Sequence, residues 1–211
     1  MARGENCPVP RGETWYGPTQ TIDSNDLGGA NLEGTEWEWD DILVNPTGGL
    51  GARSYRSPHK VVTLLVRNMS AGTLYAGQLA SFRVSGLNIL GQVDGLVDTT
   101  AEFPCAPVDE YLGSGGVRQY DLCHVVIRGP AMCHTDLAGA GNNVIAVGDV
   151  LVALTAATSG ATTAGRVKPQ DLSGATAVLG GEINGAIGRA LSAKTTTQTN
   201  GDVLVNMTVI W

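Results

Sequence analysis

Aromatic side chains are scarce in this chain: two Phe, five Tyr and four Trp make up only 5% of its 211 residues. A core must therefore come mostly from Val, Leu, Ile and Ala, and a 43% hydrophobic content is enough to supply one. Basic residues are also few. Thirteen Lys and Arg stand against twenty Asp and Glu, for a formal charge of −7. A chain with no basic stripe is a poor partner for nucleic acid, whose phosphates must be neutralised by Lys and Arg. The same argument turns it away from anionic membranes. No run approaches the roughly 20 apolar residues of a membrane span. Residues 1–10 lack the apolar stretch of a secretion signal, so synthesis in a reducing cytoplasm is expected. No segment repeats apolar residues at i, i+3, i+4 and i+7 over three turns, which argues against long amphipathic helices.

Cysteine is limited to Cys7, Cys105, Cys123 and Cys133, with no CxxC pair and no short regular spacing. Free thiols are the plain reading, with Cys123 in the core. A Cys123–Cys133 disulfide is conceivable across the Gly129-Pro130 step between them.

Glycine, by contrast, is abundant: 29 residues, about twice the usual share of roughly 7%. Together with many Thr, Val, Asn and Asp, this favours short strands and frequent turns. The stretch 120–154 organises the reading. Residues 122–128 place Cys123, Val125 and Ile127 on one side and His124, Val126 and Arg128 on the other, the period-2 pattern of a strand. Gly129-Pro130 is expected to end it, since Pro has no N–H for a ladder. Residues 131–135 then return as a short strand. The pentapeptide Gly-Asp-Val-Leu-Val occurs at 148–152 and again at 201–205. Each copy predicts a tight turn feeding a buried strand, with Asp149 and Asp202 as turn residues. Residues 60–68 read as a strong strand. Residues 99–112 carry Pro104 and Pro107 and read as a loop or edge. At the C-terminus, Val203, Val205, Met207, Val209 and Trp211 share one face of a last strand. The expected fold class is all-β: a small barrel or sandwich with long loops.

Residues 1–58 read differently. Nine acidic residues lie between Glu5 and Asp41 against Arg3 and Arg11, and three of the four tryptophans are here. Disorder would be poor in tryptophan. The segment is expected to be an extended acidic N-terminal arm on a domain of residues 59–211. Its candidate protein-contact residues are Trp15, Tyr16, Trp37, Trp39, Asp40 and Asp41. Rings on such an arm either insert into pockets of a neighbour or fold back on their own domain.

No motif carries catalytic chemistry. Gly113-Ser114-Gly115-Gly116 lacks the Lys-Ser/Thr of a phosphate loop and the Gly-x-Ser-x-Gly frame of a hydrolase elbow. Cys123-His124 and Cys133-His134 are strand neighbours and point to opposite faces, which does not suit zinc. The carboxylates of 36–41 lack a calcium-loop spacing. With three histidines, His59, His124 and His134, counting alone does not exclude a Ser-His-Asp arrangement, but nothing sets one beside a nucleophile. No enzyme activity, cofactor or metal is expected.

The order of motifs resembles a known group. It runs through Lys60-Val61-Val62-Thr63-Leu64-Leu65-Val66-Arg67-Asn68, Gly77, Val93-Asp94-Gly95 with Asp98, and Val126-Ile127-Arg128-Gly129-Pro130. It closes with Gly148-Asp149-Val150-Leu151-Val152 and Ile187-Gly188-Arg189-Ala190-Leu191. Over residues 59–211 this is similar to the decoration, or cement, proteins of tailed bacteriophage heads. The long acidic segment departs from the smallest members of that group. The resemblance implies a structural virion protein on the outer capsid surface, bracing major capsid protein subunits of an expanded shell. It also implies copies of the chain assembled at a symmetry axis, a trimer before a dimer. Two other classes stay open: a tail or receptor/glycan-binding module, with exposed Trp15, Trp37 and Trp39 stacking on sugars, and a β-barrel enzyme.

Overall fold

The computed structural model describes residues 2–15, 32–44, 53–83, 91–97, 104–135, 144–154, 164–170, 185–195 and 202–208. Among them, eleven strands join in one hydrogen-bonded sheet, with one 3-10 turn at Gly4–Asn6 and no α-helix. The all-β expectation is met. The strands are β1 (Ala2–Arg3), β2 (Thr35–Val44), β3 (Arg53–Asn68), β4 (Leu79–Phe82), β5 (Gln92–Leu96) and β6 (Cys105–Pro107). They continue as β7 (Leu122–His134), β8 (Val150–Leu154), β9 (Arg166–Pro169), β10 (Ala186–Ala190) and β11 (Asp202–Thr208). The sheet runs β6-β4-β5-β3-β7-β11-β10-β8-β9, with β2 added to β3 and β1 to β2. It is not a closed barrel. Isolated bridges link parts of it that are distant in the strand order: Thr135, just past β7, to Val167 of β9, and Val108, just past β6, to Val125 of β7.

Two long strands hold this sheet together. β3 has 16 residues, about 53 Å at the usual rise, and pairs with β2, β5 and β7. β7 has 13 residues and changes partner along its length. Val62↔Arg128 to Arg67↔Leu122 joins it to β3, and Arg128↔Thr208 to His134↔Asp202 joins it to β11. The turn expected at Gly129-Pro130 does not form. β7 runs straight through it, and Gly129 marks the place where the strand leaves β3. Its φ is +90°, and a Cβ there would lie 2.2 Å from the Lys60 carbonyl oxygen, so only Gly allows this crossing. The ladder bulges at the same step, between Val62 and Thr63. Beyond it the alternation of β7 changes face: Cys123, Val125 and Ile127 pack in one cluster, while Ala131 and Cys133 pack in the other.

The first cluster combines these β7 residues with Val62, Leu64, Val66, Ala80, Phe82, Val93 and Ala106. The second gathers Leu151, Val167, Ile187, Val203, Val205 and Met207 with Cys133 and Val126. The central strands are thus covered on both faces, which is why His124 and Val126 are buried and not exposed as simple alternation predicts. β6 is an edge strand paired with β4 alone, as its prolines require. All four cysteines are free, and Cys123 and Cys133 lie in different clusters, so the conceivable disulfide is absent. The second Gly-Asp-Val-Leu-Val copy departs from expectation in its Asp. Asp149 caps its own turn, accepting from the Ala146 N–H at 2.8 Å, whereas Asp202 reaches across to His134 Nδ1 at 2.5 Å.

The reading of residues 1–58 as an arm needs correction wherever that segment is described. The 58/59 boundary falls inside β3. β2 pairs with β3 from Thr35↔Leu65 to Val44↔Arg53. Residues 2–15 form a strap over the same sheet, with Ala2↔Trp37 and Arg3↔Glu38 in parallel and Trp15 bridged to Leu122. A third apolar cluster lies beneath the strap, built from Val9, Trp37, Leu65 and Leu122 with Cys7, Leu32 and Trp39 against it. The physical cause is local. Thr35, Trp37, Trp39 and Asp41 share one side of β2 and Glu36, Glu38 and Asp40 the other, so a strand hides the rings and leaves three carboxylates outward.

Candidate functional site

Of the six residues expected to touch partners, three are used inside the fold. Trp37 is 9% exposed and its Nε1–H donates to Thr35 Oγ1 at 2.8 Å. Trp39 donates its Nε1–H to Thr63 Oγ1 at 2.8 Å and packs on Gly4, where a Cβ would stand only 2.1 Å from the indole. Asp41 is fully buried and ion-paired with Arg56. Asp40 lies on the outer side of β2, with Lys60 as its partner. Trp15 remains 42% exposed. Tyr16 lies outside the described residues.

Around Trp39 the polar atoms form a short relay. Thr63 Oγ1 lies 2.9 Å from His124 Nδ1, and His124 Nε2 lies 2.7 Å from the Val9 carbonyl oxygen. A carbonyl only accepts, so the proton sits on Nε2. Nδ1 then accepts from the Thr63 hydroxyl, which itself accepts from Trp39. The ring is 1% exposed and meets Trp39 edge-on, with centroids 5.4 Å apart and planes at 87°. Burial lowers the His124 pKa, although its bond to Val9 opposes that shift. Cys7 Sγ stands 3.7 Å from the same Nε2. This Cys–His contact is not a nucleophile and base: Nε2 already carries a proton committed to Val9, and burial pushes the Cys7 thiol up, away from the reactive thiolate.

A second polar centre is built on a bulge. Between Asp40↔Lys60 and Ile42↔Tyr55, β3 carries four residues, 56–59, opposite Asp41 alone. The excess turns Arg56 inward. Arg56 Nε donates to Asp41 Oδ1 at 3.0 Å, Nη1 to Glu110 Oε2 at 3.0 Å, and Nη2 to the Pro130 carbonyl at 3.3 Å. Nη2 also lies 2.8 Å from Glu110 Oε1, an ion-pair contact that is not an aligned hydrogen bond. Burial alone would lower the guanidinium pKa, but Glu110 and Asp41 more than offset it and hold Arg56 above its ordinary value. Next to it, Arg11 of the strap grips Asp109 with two bonds, 2.9 and 2.7 Å, and stacks 4.5 Å over the Tyr111 ring. The Tyr111 hydroxyl donates to the Ile42 carbonyl.

A cavity of about 460 Å³ opens beside Arg56. Met132 and Leu204, register partners on β7 and β11, form its apolar floor, and His134 with Asp202, paired two positions further on, forms one end. Glu110, Tyr111, Ala76 and Gly77 complete the walls. Among the described residues, the lining includes no Ser, Thr or Cys that the His134–Asp202 pair could activate. Among the described residues, no three His, Cys, Asp or Glu side chains converge as metal ligands would.

Sequence reasoning missed Arg56, Glu110, Arg11 and Asp109. Arg11 and Arg56 are scattered charges and Asp109-Glu110 an adjacent pair within no motif, and only the bulge of β3 and the path of the strap bring them together.

The fold and its polar centres define an all-β protein on one open sheet whose buried charges tie β3 to β2 and tie the strap and the segment after β6 to that sheet. No family model matches the chain, and no curated protein matches it.

Proposed function

We propose that the protein is a structural component of a phage virion that binds the outer surface of an expanded head and braces contacts between major capsid protein subunits. The observation that carries this reading is where its resemblance segments fall. Lys60–Asn68, 126–130, 148–152 and Ile187–Leu191 lie on or at the start of β3, β7, β8 and β10, all in one sheet. The polar chemistry fits the same role, since the buried ion pairs join β3 to β2 and fasten the strap and the segment after β6 to the sheet. With Trp37, Trp39 and Asp41 used internally, the contact surface moves elsewhere. Val144, Val147 and Leu191, 56%, 66% and 43% exposed, stand on segments joined by the Ile145↔Lys194 bridge. Exposed aliphatics beside the ends of β8 and β10 suit a dry contact with a neighbouring subunit. Copies of the chain would gather at a symmetry axis, a trimer before a dimer.

A ligand that binds only the assembled lattice stabilises it by mass action. Added protein should therefore raise the temperature at which expanded heads rupture, and the rise should level off at a fixed ratio to the major capsid protein. Superimposable rupture curves at saturating protein would remove the proposal. The alternative, a tail or receptor/glycan-binding module, draws on Trp15 and Tyr120, 42% and 43% exposed. Tyr120 is held at φ +70°, an uncommon cost for an aromatic residue. Binding of sugars in place of heads would favour that module.

A further inference from the structure

We propose that residues 2–9 of the strap are released by acid and that His124 is their latch. The strap is fastened to the sheet at three places. β1 pairs with β2 over only two residues, Ala2 and Arg3. In the middle, the Val9 carbonyl accepts from His124 Nε2, and the Val9 side chain, 2% exposed, fills the cluster with Trp37, Leu65 and Leu122. At the far end, Arg11 grips Asp109 and Trp15 exchanges two backbone bonds with Leu122, 3.2 Å each.

The middle fastening depends on a neutral imidazole. Every group facing the ring is already arranged for that form. Thr63 of β3 donates to Nδ1 while accepting from Trp39 of β2. The strap supplies the Val9 carbonyl and the Cys7 thiol at Nε2. The charges that reach the ring are Asp109, whose N–H also bonds the His124 carbonyl at 3.0 Å, and Arg11. They act in opposite directions and are bound to each other, so burial dominates. A second ring proton would sit on Nδ1 and meet the Thr63 hydroxyl hydrogen. That hydroxyl cannot simply turn to accept, because its hydrogen would then have no partner beside the Trp39 donor.

Lifting the strap is the smallest movement that admits water. The other sides of the ring are β2, β3 and the body of β7, which the rest of the sheet holds, whereas the Ala2–Val9 end is held by two paired residues, the Val9 carbonyl and the packing of Gly4, Cys7 and Val9. The sign follows from linkage. The closed ring has a lowered pKa, and the freed ring returns to about 6.5. Closure is therefore complete above about pH 6.5 and is lost as pH falls below it, by up to about tenfold in the closed-to-open ratio for each pH unit until the lowered value is reached. Release would uncover Trp37, Leu65 and Leu122 and free the edge of β2 that β1 covers.

Amide hydrogen exchange on the full chain at pH 7.5 and pH 5, corrected for the intrinsic rate, tests this. Peptides covering residues 2–9 should lose protection at pH 5, by up to about thirtyfold, while peptides of β7 and β11 keep theirs. In His124→Gln, whose amide can still donate to Val9 but does not titrate in this range, the strap should exchange equally at both pH values. If that variant does not fold, the wild-type chain decides: the His124 ring resonance and the strap exchange should share one pH midpoint. Strap protection unchanged at pH 5, loss in step with β7 and β11, or an unaltered pH response in His124→Gln would each overturn the latch.

Discussion

Arg56→Met should lower the unfolding free energy by about 3–5 kcal/mol, the range for removing one partner of a buried ion pair. Asp41 has no exposed surface and Glu110 has 11%, and both are left without their counter-charge. Met fills much of the space of the Arg stem, so the loss is one of charge pairing and not of a cavity. At roughly 2–4 °C per kcal/mol for a chain of this size, Tm should fall by about 10 °C. The triple variant Arg56→Met, Asp41→Leu and Glu110→Gln should recover a large part of that fall, because it strands no charge in the interior. Calorimetric melts of the three proteins give the comparison. A single variant melting within 2 °C of the parent would mean that water reaches this centre freely.

Trp37→Ala combined with Trp39→Ala should be more damaging still. Truncation of a buried large aromatic costs about 3–5 kcal/mol. The two positions share one face of β2 and one cluster, so their effects will not simply add. Trp37→Ala opens a void beside Val9, Leu65 and Leu122. Trp39→Ala removes the donor to Thr63 and the surface on which Gly4 rests, so the strap should loosen as well. Against a typical total stability of about 5–15 kcal/mol, the double variant should be largely unfolded at 37 °C. Far-UV circular dichroism and a urea titration would measure it. A double variant with an unchanged urea midpoint would return these tryptophans to the surface arm that their acidic surroundings suggest. Cutting the chain before residue 59 should fail for the same reason, since it removes β1, β2 and the first part of β3.

Legibility in the sequence followed the aliphatic pattern and stopped where that pattern stopped. The strands at 122–128 and 203–207 are signalled by period-2 alternation and those at 60–68 and 150–154 by short apolar runs, and each is found. β2 has the same period in Thr35, Trp37, Trp39 and Asp41, but two of its inward residues are aromatic, one is polar and one is charged. Its outward residues are acidic, so composition spoke for an arm while spacing spoke for a strand. Gly129-Pro130 misled in the opposite sense. A Pro in a strand usually ends it, yet Pro130 stands where β7 exchanges β3 for β11 and the ladder is already broken. The Arg56 centre had no sequence signal, because a bulge depends on how two strands fail to match and not on either one. His124 reads as an outward strand residue until the strap covers it.

The account rests on one claim above the others, that this chain binds a capsid lattice through its surface. Co-sedimentation of the purified protein with expanded empty heads and with unexpanded heads tests it most directly. The expected result is saturable binding to expanded heads alone, at a fixed ratio to the major capsid protein, weakened when Val147 and Leu191 are both replaced by Asp while the fold is kept. Protein that stays in the supernatant at every concentration, or that pellets equally with both kinds of head, would contradict it.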